Sequence, residues 1–154
     1  MPTIKLTTLI NCPIERCFDL SRSIDLHLAS ASKSQEKAIA GKKSGLIGFN
    51  ETVTWQATHF GFKLKLTSKI TAYEKPYYFT DEQINGPFKS FKHQHFFNQV
   101  DDKVIMKDLL EFQTPLGAVG KLFNKIILTN YLKNFLLERN ATIKEMAEKN
   151  SRFT

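Results

Sequence analysis

Two neighbouring segments place ionisable side chains where a β-sheet normally carries hydrocarbon. In Phe79-Thr80-Asp81-Glu82-Gln83 a period of two sets Phe79, Asp81 and Gln83 on one strand face. In the following segment the same period sets Phe91, His93, His95 and Phe97 together. A polar group buried without a partner costs roughly 2–7 kcal/mol, so acids and imidazoles among phenylalanines mark the floor of a pocket more readily than a packed core. The parity continues in the last strand-like run, where Val104, Met106, Asp108, Leu110 and Phe112 share a face and Lys107 and Glu111 the other. An antiparallel meander would bring Asp81, Gln83, His93, His95 and Asp108 side by side from three consecutive strands.

Such a cluster could do three things. Each histidine could donate to Asp81 or Asp108 in a satisfied internal network that fixes sheet register. The same groups could hold the polar head of a ligand whose apolar part is covered by phenylalanines and by helix residues such as Phe123 and Ile127. A His-Asp pair facing open space could also act as general base and orienting carboxylate, with His93, His95, Asp81 and Asp108 as the catalytic candidates. His93-x-His95 with a nearby acid has the outline of a two-histidine, one-carboxylate metal site, but spacing fixes no third strong ligand, and neither metal nor cofactor is expected. Trp55 shares parity with Glu51, Val53 and Ala57; it lines the same space or packs in the core, and Glu51 is a further acid on that face.

The elements that must position these residues are legible from alternation and turn chemistry. Thr3 to Ile10 reads as a first strand, and Asn11-Cys12-Pro13 opens a short helix with Ile14, Cys17 and Phe18 turned inward. A second short helix is expected from about Ser23 to Ala31, then a polar loop from Ser30 to Lys37 and a short strand ended by Gly41. Antiparallel strands follow over Gly48 to Thr58, Phe62 to Tyr73, Tyr77 to Asn85, Phe88 to Val100 and Lys103 to Gln113, each break carrying recognised turn residues. The remainder, to about Lys149, is helical in composition.

That terminal helix has an anomaly. At ~100° per residue, Val119, Leu122, Phe123, Ile126 and Ile127 share one face, whereas Tyr131, Leu132, Phe135, Leu136, Ile143 and Met146 fall nearly opposite. A break or kink at Thr129-Asn130 would reconcile the two stripes with one sheet; a straight helix would turn the second stripe toward another subunit as a dimer surface.

Composition bounds the partners. A chain of 154 residues is the size of one domain, expected over 1–150 with a tail at 151–154. The net charge of +7 raises nucleic acid or acidic lipid as partners. Its distribution argues against both, since Lys63, Lys65 and Lys69 alternate with apolar residues as on a solvated strand face, without interleaved outward aromatics. No segment approaches the ~20 apolar residues of a membrane span, and the first residues lack a signal-peptide layout, so a cytoplasmic protein without membrane insertion is expected. Cys12 and Cys17 read as small buried side chains and not as a disulfide.

The order of elements, strand, two short helices, six antiparallel strands and a long C-terminal helix, is that of an α+β helix-grip fold of about seven strands. The residues add to this. Pro13-Ile14-Glu15-Arg16-Cys17-Phe18, Phe79-x-Asp81-x-Gln83-x-x-Gly86-Pro87-Phe88-x-x-Phe91-x-His93-x-His95-x-Phe97, Asp108-x-Leu110-x-Phe112-x-x-Pro115-x-Gly117, and Arg139 resemble the ligand-binding SRPBCC group of the START and polyketide-cyclase superfamily across almost the whole chain. The resemblance implies a curved sheet wrapped around the terminal helix, with a cavity between them for a hydrophobic or amphipathic small molecule. It also implies a range of roles, from lipid carriage to cyclase chemistry, among which fold alone does not choose. The expected ligand-contacting residues are Trp55, Phe79, Asp81, Gln83, Phe91, His93, His95, Asp108, Phe112, Phe123 and Ile127. The alternatives are a cyclase, isomerase or dehydratase using a His-Asp pair, and a dimeric interaction module.

Overall fold

In a computed structural model, which describes residues 2–114 and 124–151, the chain forms β1 (Thr3–Ile10), α1 (Ile14–Ser21), α2 (Ile24–Ser30), β2 (Lys37–Gly41), β3 (Thr52–His59), β4 (Phe62–Glu74), β5 (Tyr78–Asn85), β6 (Ser90–Val100), β7 (Lys103–Gln113) and α3 (Thr129–Ser151). The strands make one seven-stranded antiparallel sheet in the order β1-β7-β6-β5-β4-β3-β2. The first strand thus closes onto the last, and α1 and α2 fill the gap before the chain re-enters the sheet at its far edge. Register shifts between Ala38 and Ala40, Thr67 and Ser68, and Ile70 and Ala72 mark bulges, and bulges bend strands and increase twist. The sheet is accordingly curved, with α3 across its concave side.

Strand parity has the expected sense. On β4, Lys63 and Lys65 face solvent while Ser68 and Ile70 are buried. The third strand begins at Thr52 and not near Gly48, because Gly48 N–H donates to Glu51 Oε1 (2.7 Å) in a turn where Asn50 has φ 66°. Glu51 is therefore no buried acid: it is exposed and faces Lys42 Nζ at 3.8 Å. Helix α2 is capped by Ser23, whose hydroxyl accepts from Leu26 N–H.

The hydrocarbon core lies under α1. Phe18 is fully buried, with Tyr73, Phe79 and Phe97 packed edge-on at 5.5, 5.4 and 5.3 Å between ring centres, a favoured aromatic geometry. Ile143 and Ala147 of α3 complete this cluster, in which Cys12 and Cys17 are buried as free thiols.

The phase change in the terminal helix is real, but it is not a gap. Asn124–Leu128 is one π-helical stretch running directly into α3, and the Asn130 side chain donates back to Ile126 C=O (2.9 Å) and caps nothing. Ile126 and Ile127 face solvent, while Tyr131, Leu132, Phe135 and Leu136 turn toward the chain's own sheet, so the two stripes stay on the opposite sides that a regular helical period gives them. Tyr131, Leu132, Phe135 and Leu136 of the stripe from which a dimer surface is expected thus line the chain's own cavity, while Met146 is exposed. Val119, Leu122 and Phe123 lie outside the described residues.

Candidate functional site

Between α3 and the concave face lies a cavity of about 560 Å³, within the range of small-molecule sites. Its walls are mostly apolar: Val53, Ala57, Leu64, Leu66 and Ile70 from β3 and β4, Phe79 from β5, Phe91 from β6, and Leu132, Phe135 and Leu136 from the helix. Trp55, the chain's one tryptophan, stands among them.

The floor is polar where parity puts it. His93 and Asp81 are cross-strand partners on β6 and β5, and His95 pairs with Asp108 across β6 and β7. The hydrogen bonds run along the diagonals: His93 Nε2 donates to Asp108 Oδ1 (2.8 Å), and His95 Nε2 to Asp81 Oδ2 (2.6 Å). Asp108 is shielded from solvent and receives a second donor, Asn140 Nδ2 of α3, at 2.7 Å on Oδ2. Arg139 Nη1 lies 3.8 Å from Asp108 Oδ1 and donates to Asn140 Oδ1 (3.1 Å), while Nη2 donates to Ser21 C=O (2.8 Å). Helix, sheet and α1 are tied together at one buried carboxylate.

The electrostatics follow from these contacts. Burial would raise the Asp108 carboxyl, but the hydrogen bonds from His93 and His95 and the nearby positive charge outweigh it and hold it well below the usual carboxylate range. Asp81 is lowered in the same way, burial being overcome chiefly by the His95 hydrogen bond. Burial, reinforced by His95, pushes His93 below its ordinary value despite the carboxylate beside it, which keeps the ring neutral near neutral pH. A neutral His93 that gives its Nε2 proton to Asp108 keeps Nδ1 as an acceptor, on a side chain that lines the cavity.

Asp81, His93 and His95 each offer a donor atom within 4.8 Å of the others. An ion held at ~2.0–2.2 Å from both partners would keep nitrogen and oxygen about 3 Å or more apart. The 2.6 Å contact of His95 with Asp81 is instead that of a charge-assisted hydrogen bond.

No protein-family model matches the sequence, and no curated protein does. Solved structures do match. An aromatase/cyclase, Zhui, from a Streptomyces species superposes with a TM-score of 0.77 at 9% identity, over 97% of this chain and 95% of that one. A START superfamily protein from Mycobacterium smegmatis gives 0.70 at 9% identity, over 96% and 97%, and a major latex-like protein from Panax ginseng 0.66 at 15% identity, over 95% and 97%. The chain has the START-type helix-grip fold. Agreement over nearly the full length at such low identity rests on architecture alone, as the alternation and element order imply.

Within this START-type fold, Trp55, Phe79, Asp81, Phe91, His93 and His95 all line the cavity. Asp108 lies beneath the two histidines and not at the surface of the cavity, where it positions them. Three expected residues fall elsewhere. Gln83 grips the β5–β6 turn, its Nε2 donating to Phe88 C=O (2.7 Å) and its Oε1 accepting from Phe88 N–H (3.1 Å), after a bulge in the β4–β5 pairing. Phe112 is fully buried in the packing between sheet and helix. Ile127 is 49% exposed, on the side of the helix away from the Tyr131, Leu132, Phe135 and Leu136 stripe that faces the cavity, and Phe123 lies outside the described residues.

A second polar group of residues had no signature in the sequence. Glu36 lies just before β2, its Oε1 accepting from His27 Nε2 (2.9 Å), and His59 Nδ1 is hydrogen-bonded to the Tyr131 hydroxyl. All four residues line the cavity. His59 precedes a turn and Glu36 ends a polar loop, where no period tells inward from outward.

Proposed function

We propose that the protein binds a hydrophobic or amphipathic small molecule between α3 and the sheet, with a hydrogen-bond donor of the ligand directed at the histidine floor. The observation that carries this is the cavity itself, apolar over most of its walls and polar at the floor, where the imidazole acceptor is set by Asp108. The polar cluster serves as both network and recognition surface: Asp108 is enclosed behind the histidines, while His93, His95 and Asp81 line the space. Both arginines that line the cavity are already engaged, Arg22 with Asp19 and Ile47 C=O, Arg139 with Ser21 C=O and Asn140. That favours a ligand offering donors over an anionic one. The fold held in common with a START superfamily protein and an aromatase/cyclase is consistent with this reading.

The test uses N-phenylnaphthylamine, a dye that brightens in apolar surroundings, with Trp55 as the internal reporter. Saturable binding at one site per chain is expected, abolished when Leu132→Trp fills the space. Native mass spectrometry of protein from its own source should show a co-purifying small molecule. Absence of saturable dye binding, or a filled variant that binds equally, would overturn the proposal.

The His93–Asp108 dyad favours one further reading, in which the neutral imidazole removes a proton from the bound molecule. It requires chemical turnover whose rate rises through a single ionisation below neutral pH and is lost in His93→Gln.

A further inference from the structure

Glu36 carries a buried oxygen without a partner. Its side chain is only 7% exposed, and while Oε1 accepts from His27, Oε2 is buried without any hydrogen-bond partner. Among the described residues no lysine or arginine lies within ion-pair distance of it. A carboxylate oxygen in that position costs stability unless something supplies a donor.

Its surroundings are aromatic. The His27 ring lies 4.2 Å from Trp55 and 6.2 Å from Phe135, and Phe135 lies 6.1 Å from His59, whose ring meets Tyr131 edge-on at 5.5 Å. Glu36 is hydrogen-bonded to the His27 ring that lies on Trp55, and it lines the same cavity as Phe135, His59 and Tyr131. Aromatic faces cannot neutralise an anion, but together with one they hold a cation.

We propose that this end of the cavity takes a protonated amine, whose ammonium donates to the Glu36 carboxylate once a small side-chain rotation turns the partnerless Oε2 to the cavity, and rests against the faces of Trp55, Phe135 and Tyr131. β3, which carries Trp55 and His59, is separated from β5 and β6 by β4, so at ~4.8 Å per strand the subsite stands roughly 10–15 Å along the sheet from the histidine floor. The ligand class is therefore a lipophilic amine, cationic at one end and apolar along its length. The inference rests on the reading of the cavity as a small-molecule site.

Three matched probes separate the two ideas: phenylbutylamine, phenylbutanol and phenylbutyrate, titrated by calorimetry at neutral pH. The amine should bind at least about tenfold tighter than the alcohol, with the carboxylate weakest. Glu36→Gln should remove that advantage and leave the alcohol's affinity within about twofold. Equal binding of amine and alcohol to the native protein, or an advantage that survives Glu36→Gln, overturns the amine subsite and leaves the cavity reading standing. Failure of all three probes to bind overturns both. Should Glu36→Gln not fold, Phe135→Leu must weaken the amine more than the alcohol, and an equal loss of both overturns the subsite.

Discussion

Replacing Asp108 by asparagine changes one oxygen to an amide nitrogen and very little in shape. If the new amide turns its oxygen to His93 Nε2, its NH₂ meets Asn140 Nδ2, now 2.7 Å from Oδ2, donor against donor. Turning Asn140 over moves the conflict to Arg139 Nη1, which donates to Asn140 Oδ1 at 3.1 Å. No rotamer choice satisfies all three while His93 keeps its proton on Nε2, and moving that proton to Nδ1 gives up the acceptor that faces the cavity. One unsatisfied buried donor costs about 1–3 kcal/mol, and losing charge on a carboxylate that accepts from buried groups brings the total to about 3–5 kcal/mol. For a chain of this length that is a fall in Tm of about 8–15 °C. Asp108→Asn combined with Asn140→Asp restores complementarity: the carboxylate now accepts from Arg139 and from the new amide, with net charge unchanged. Thermal and urea unfolding followed by circular dichroism should show the double variant recovering at least half of the loss. A loss below about 1 kcal/mol in the single variant, within the range of a neutral surface change, or a double variant no better than the single, would refute the network as drawn.

Two further outcomes follow from the same cluster. Acidification should destabilise the fold in two stages, because His93, Asp81 and Asp108 all have values depressed in the folded state. For a depressed group the unfolded chain takes up the proton first, so its stabilisation is complete above the unfolded value and lost as pH falls. The first decline in Tm belongs to His93 and to His59, which burial also lowers, below about pH 6.5, and the second to the two aspartates, below about pH 4; His93→Gln should shrink the first stage and keep the second, and a Tm flat from pH 7 to 5 in the native protein would contradict the assignment. Asp81→Ala leaves His95 Nε2 without its 2.6 Å acceptor, and a loss of about 1–3 kcal/mol is expected in urea unfolding. Asp81→Asn should cost less, since its amide oxygen can still accept.

The sheet and the histidine floor were legible because a strand has a period of two and buries one face. Asp81, His93 and His95 lie where that period puts them. Gln83 keeps the same period, paired opposite Ser68, yet its side chain grips the β5–β6 turn, since a side chain near a strand end can reach backbone groups. Ile127 faces solvent because the two apolar stripes stay on opposite sides of the helix and only the second meets the sheet, and a helical wheel tells that the stripes oppose each other without telling which one is covered. Glu36 was invisible: inside a loop, burial depends on what folds over the chain, here α2 and Trp55, and nothing in Ser30 to Lys37 encodes that. Asn140 offered only an amide in a helix, and its role required the register between α3 and β7.

The two halves of α3 have different work. Its C-terminal half is pinned: Ile143 and Ala147 are fully buried against the Phe18 cluster, Arg16 donates to the carbonyls of Met146 and Ala147 (3.3 and 3.2 Å), and Lys144 Nζ donates to Leu9 C=O (2.6 Å). Its N-terminal half stands over empty space, with Leu132 and Phe135 facing the cavity. Truncating a packed side chain loses transfer energy and also leaves a void, whereas a side chain already beside a void loses only part of its contacts. Ile143→Ala should therefore cost about 3–4 kcal/mol, within the span measured for buried aliphatic truncations, and Leu132→Ala about 1–2 kcal/mol. The order should reverse for dye affinity, which Leu132→Ala changes and Ile143→Ala leaves alone. Equal destabilisation by the two truncations would mean that the space above β3 to β6 is closed by packing in solution, and a helix packed along its whole length would leave no room for a ligand.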